Sequence, residues 1–173
     1  MRGKAFEELK NKPLAKKDYL FVIKSAGNEP EGIQARMSLA EYAVEEDRHR
    51  DVLEYLSPLE KMPEDPHYPY AIYKMAWANY NLKEIRRALG YLEKHISYYD
   101  ERIGDAALTA EDSIRENSLS DIALFYLEGF EGNSSEFSIE KSADYFENIG
   151  KKKNIGKMNL RFAKLLRAHD HED

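Results

Sequence analysis

The chain has 173 residues, no cysteine, and a net charge of −6 at pH 7 from 26 basic and 32 acidic side chains. That length supports one domain or one short repeat array able to bury about two-thirds of its unfolded surface. Without cysteine there is no disulfide framework, thiolate metal site or cysteine nucleophile; the acidic balance gives no general affinity for nucleic acid; and no apolar run approaches the roughly 20 residues of a membrane helix, so no membrane insertion is expected.

Taken in order, Lys4 to Lys10 reads as a short helix ended by the Asn-Lys-Pro turn at 11 to 13. A second helix, Leu14 to Ala26, carries the apolar block Tyr19 to Ile23 and stops at Gly27-Asn28. Pro30 suits the first turn of a third helix running to about Glu46, with Ile33, Met37, Leu39, Ala40, Ala43 and Val44 toward a core. After a polar turn near Asp47 and Arg48, a fourth helix holds Val52, Leu53, Leu56 and Leu59, and the segment Pro63 to Pro66 breaks it.

The stretch from Tyr68 to Leu82, YPYAIYKMAWANYNL, is apolar or aromatic on nearly every side of a helical wheel. Such a helix has to be covered from several directions, so it is expected in the middle of the fold. Next comes a helix with Ala88, Leu92 and His95. A further pair then follows: Ile114, Leu119, Ile122, Ala123 and Tyr126, opened by Thr109 and Asp112 as a capping box, then Ser138 to Gly150 with Ile139, Phe146 and Ile149. Between the two lies GFEGNSSEF, residues 129–137, read as a surface loop. The last helix, about Ile155 to Ala168, sets Met158, Phe162, Leu165 and Leu166 against a face of Lys157, Arg161, Lys164 and Arg167.

The chain also repeats itself. Leu39, Ala40, Val52, Leu56 and Leu59 recur 36 residues later as Met75, Ala76, Ala88, Leu92 and His95. Small residues late in one helix and early in the next let two antiparallel helices approach across a short turn. This pattern resembles the tetratricopeptide repeat, with Ile72, Met75, Ala76, Ala88 and Leu92 in one unit and Leu39, Ala40, Val52 and Leu56 in the preceding one. The family's tryptophan, turn glycine and closing proline are replaced by Ile72, Lys83 and Asp100. The resemblance implies an all-α fold, a superhelical array of antiparallel helix hairpins with eight to nine helices. Its parts would be N-terminal helices over 1–28, repeats over 29–64, 65–100 and 106–150, and a capping helix over 151–173.

In that family the first helix of each hairpin lines the concave surface. The positions this implies are Tyr70, Tyr73, Trp77, Tyr80 and Asn81 in one repeat and Gln34, Met37, Glu41, Val44 and Glu45 in the one before. Tyr70, Tyr73, Trp77 and Tyr80 also share one face by helical spacing alone, and such side chains combine an apolar body with a polar tip. The expectation is a non-enzymatic scaffold that binds a basic or apolar protein or peptide segment, since Glu41 and Glu45 would repel a carboxylate. One alternative is a self-associating structural module, because residues 1–28 and 151–173 are basic, at 7 against 3 in each, while the middle is acidic; the other is a helical enzyme with a site assembled from scattered carboxylates and tyrosines.

Catalytic signatures are missing: there is no phosphate-cradling glycine loop, HExxH, GxSxG or CxxC. His95 falls on a core position, His169 and His171 lie in the terminal tail, and no metal or cofactor is expected. The opening residues carry charge without an apolar stretch, so a cytoplasmic location is expected, or a periplasmic one for a processed piece.

Overall fold

Turn chemistry decides where the helices of this chain begin and end. The computed structural model describes residues 2–9, 11–103, 110–132 and 135–169, and among them it contains helices and turns but no strand. The helices are α1 (Arg2–Glu8), α2 (Lys12–Ala26), α3 (Pro30–Glu45), α4 (His49–Leu56), α5 (Tyr68–Asn81), α6 (Ile85–Ile103), α7 (Ala110–Glu131) and α8 (Ile139–Ala168), with a 3₁₀ segment (Ser57–Lys61) after α4. None of them is long and apolar enough to cross a membrane. They group into two compact units, Met1–Ala78 and Asn79–Asp173, which divide inside α5.

In the first unit successive helices pack on one another, α1 on α2, α2 on α3 and α3 on α4. Asn11 caps α2 by accepting from the Leu14 amide, so the proline expected to end a turn sits in the first turn of the helix, where its missing N–H costs nothing. Ala15, Tyr19, Ala35, Leu39 and Tyr42 form the core, with Phe6, Val22, Ile23 and Tyr55 against it. The α2–α3 turn is tight: a Cβ at Gly32 would stand 2.2 Å from the Gly27 carbonyl oxygen. Pro58 comes just after α4 ends, and the chain continues as the 3₁₀ segment that keeps Leu59 fully buried.

The second unit is built from α6, α7 and α8, with α6 on α7 and α7 on α8. Tyr126 sits at the hub of its core. Phe137, Tyr145, Phe146 and Phe162 surround its ring at centroid separations of 5.1 to 5.6 Å. Its hydroxyl donates to the Ser138 carbonyl and accepts from the Ser138 amide. That bond holds the start of α8, whose N-cap is Ser138 itself.

Two expectations need correction here. The loop expected over 129–137 starts later, since α7 runs on through Glu131, and its last residue is not on the surface: Ser135 and Glu136 are exposed, but Phe137 is buried against Tyr126, in space that a Cβ at Gly129 would invade at 2.6 Å. The two helices expected over 138–150 and 155–168 are one element of 30 residues. Gly150 does not end it; a Cβ there would meet Met158 Sδ at 2.8 Å. The Thr109 capping box lies outside the described residues.

The 36-residue spacing reappears in the backbone. After α3, Asp47 adopts a left-handed φ of 53°, its amide donates to Val44 O at 3.1 Å, and the Arg48 amide donates to Ala43 O at 2.8 Å. After α5, Lys83 has φ 62°, its amide donates to Tyr80 O at 2.9 Å, and the Glu84 amide donates to Asn79 O at 2.9 Å. Each pair of bonds satisfies carbonyls the helix end leaves open, the Schellman arrangement. Around both turns the small and large apolar positions Ala40, Val52 and Leu56, and Ala76, Ala88 and Leu92, are buried.

Candidate functional site

The organising helix α5 is enclosed as its composition requires. Tyr68, Ala71, Ile72, Met75, Ala76, Ala78 and Asn79 are buried, Tyr70, Tyr73, Lys74, Trp77 and Tyr80 are half-buried, and only Asn81 at its end is exposed. On α3, Met37 is buried, Gln34, Glu41 and Val44 are half-buried, and Glu45 is exposed.

Within the first unit, three residues of the candidate face and its surroundings come together through Lys74. Its ammonium lies 3.5 Å from Glu41 Oε1 and 5.1 Å from the centroid of the Tyr70 ring. One cation thus joins an acidic position of α3 to an aromatic position of α5, four residues along the same helix face. Glu45 is paired as well, with the Lys12 ammonium of α2, and Glu46 with Lys16. Both lysines also stand 5.4 Å from the centroid of Tyr42, whose hydroxyl donates to Glu7 at 2.7 Å. Burial and the Glu7 carboxylate push the Tyr42 phenol up. The basic N-terminal segment therefore meets acidic residues of its own chain at this place.

Tyr80 and Asn81 belong to the second unit. The Tyr80 ring stacks on Phe125 with centroids 4.3 Å apart and planes within 15°. Its hydroxyl donates to Glu128 Oε2 at 3.4 Å, and Lys83, paired with Glu128 at 2.5 Å, stands over the ring. Burial is the main cause that raises its phenol, followed by the Glu128 charge. Tyr80 is thus a packing residue of that unit as much as a surface one.

Sequence reasoning missed Lys74 and Lys12. The first was legible: it is four residues from Tyr70, and such residues share a helix face. The second was not, since Lys12 and Glu45 are 33 residues apart and only the packing of α2 on α3 joins them.

His95 is buried, its Nδ1 lies 2.8 Å from Ser118 Oγ, and burial lowers its pKa to about 4. Tyr145 donates to Glu93 at 2.6 Å. A cavity of about 280 Å³ between α7 and α8 is lined by Glu116, Asn117, Ser120, Asn154 and Arg161 among others, and the Glu116–Lys157 pair at 2.6 Å stands in its wall. Among the described residues no group of three or more His, Cys, Asp or Glu side chains could hold a metal ion. His171 lies outside them.

Comparison of the chain with models of protein families, with curated proteins and with solved structures returned no match.

Proposed function

We propose that this chain is a non-enzymatic helical-repeat scaffold of the tetratricopeptide type, and that it holds a partner segment against the face formed by Met37, Glu41, Val44 and Glu45 of α3 with Tyr70, Tyr73 and Trp77 of α5. The observation that carries the reading is the Glu41–Lys74–Tyr70 cluster, since one cation spans the acidic and aromatic halves of the expected surface. The recurrence of one turn geometry 36 residues apart supports the repeat. Half-buried tyrosine and tryptophan offer large rigid contact area at low entropic cost, the chemistry of binding hot spots.

The lysines change the ligand expectation. Glu41 and Glu45 are already paired, so a basic segment would have to displace Lys74 and Lys12, whereas an apolar segment has only the aromatic rings to meet. An apolar or aromatic peptide is the partner this face fits best.

The test is selection of displayed random peptides on the wild-type chain, followed by titration of the selected peptides against a Tyr70→Ala, Tyr73→Ala variant shown by circular dichroism to be folded. Removing two such side chains should weaken binding at least about 30-fold. Peptides that bind both proteins equally would place recognition elsewhere.

A further inference from the structure

Four of the seven exposed large apolar side chains among the described residues fall within thirteen residues at the N-terminal end: Leu9 at 75%, Leu14 at 41%, Leu20 at 42% and Phe21 at 68%. Three of them are on α2, whose opposite side, through Ala15, Tyr19, Val22 and Ile23, belongs to the core. The outward arc of α2 is ordered. Lys17 and Lys24, one heptad apart and both exposed, run along its crest. Leu14 and Phe21, also a heptad apart, flank that crest on one side, and Pro13 and Leu20 flank it on the other. Neither lysine forms an ion pair among the described residues. The single acidic residue of α2, Asp18, is buried and held by Arg2 through two bonds of 2.6 Å.

A lipid surface fits this arc poorly, because the lysines occupy its deepest line and would be driven toward hydrocarbon rather than headgroups. An isologous pairing of two α2 helices sets lysine against lysine. What fits is a helix with carboxylates along its crest and an apolar row beside it, and α8 of this same chain has both. Glu140, Asp144 and Glu147 line the exposed arc of its first half, and Glu140 and Glu147 repeat the heptad spacing of Lys17 and Lys24. Asp144 and Glu147 have no ion-pair partner among the described residues. Beside them run Ile139, 42% exposed, and Ala143, also exposed.

We infer that the α2 crest of one copy docks on the first half of α8 of a second copy, with Lys17 and Lys24 against the Glu140, Asp144 and Glu147 row and Phe21 and Leu14 against Ile139 and Ala143. The contact is heterologous. A docked pair keeps one α2 and one α8 unused, so association continues into an open chain or closes into a ring. Flanking apolar rows exclude water from the ion pairs, which remain sensitive to salt.

Sedimentation velocity on the full chain tests this. Wild type should associate with rising concentration at about 50 mM salt and revert toward monomer at about 500 mM. A Lys17→Glu, Lys24→Glu variant and an Asp144→Lys, Glu147→Lys variant should each weaken association at least about ten-fold. The second variant spares Glu140 at the start of α8. Mixing the two variants should restore association, since each then offers the complement of the other. Leu160→Ser, at an exposed apolar position outside the arc, serves as the control and should change nothing. A monomer under all conditions, or association that neither reversal weakens, or two reversed variants that fail to associate when mixed, would overturn the inference.

Discussion

The turn after α3 and the turn after α5 each have a left-handed residue at the equivalent position, an equivalent pair of closing hydrogen bonds and a buried alanine, Ala40 or Ala76, in the helix before it, yet each is attached to a different polar guest. Counting 36 residues between them equates Arg36 with Ile72, and Leu59 with His95. On the second side, Ile72 and His95 are both buried, and His95 has Ser118 at 2.8 Å. On the first, Leu59 is fully buried while the Arg36 Nε is buried with no hydrogen-bond partner, and burial lowers the guanidinium's pKa. The frame tolerates a polar side chain at either position. What differs is whether a partner has been provided, and that difference is energetic rather than architectural.

Making the two sides alike should therefore shift stability in opposite ways with pH and sequence. The largest effect belongs to His95. With a folded pKa of about 4 against an ordinary value near 6.5, the unfolded chain takes up the proton first. Stability is therefore full above about pH 6.5 and falls as pH drops toward 4, by up to about 3 kcal/mol. Urea unfolding of wild type at a series of pH values should show this loss, and His95→Leu, which copies Leu59, should flatten it over that range. Next comes Arg36→Ile, copying Ile72. Replacing a half-buried cation whose Nε is buried without a hydrogen-bond partner by an apolar side chain should raise stability by about 1–3 kcal/mol, seen as a higher urea midpoint; a lower midpoint would show that the guanidinium makes a contact worth keeping. The smallest effect concerns the turn itself. Asp47→Val should cost about 1–2 kcal/mol, because a β-branched residue resists positive φ, while Asp47→Gly should change thermal unfolding little.

Much of this frame was legible in the sequence. Pro30 in the first turn of α3, the all-round apolar α5 and the 36-residue recurrence each follow from local residue chemistry, and the structure has α3 and α5 within a residue of the expected limits. Asp47 and Lys83 show where local reading stops. Glycine is the usual sign of a left-handed helix end, and neither position has it, although hydrogen bonding forces both residues there. Gly150 errs the other way: it looks like a helix stop, but among the described glycines only Gly27 has a positive φ, and Gly150 instead leaves room for Met158. The candidate face was readable as a list of positions from helical spacing, whereas its charge balance depended on Lys12 arriving from α2.

The most direct test of the account is amide hydrogen exchange of the chain with and without a peptide selected on it. Binding at the proposed face predicts added protection concentrated in α3 and the first part of α5, including the amides near Glu41, Tyr70 and Tyr73. Protection confined to α2, or to α7 and α8, with α3 and α5 unchanged, would contradict it.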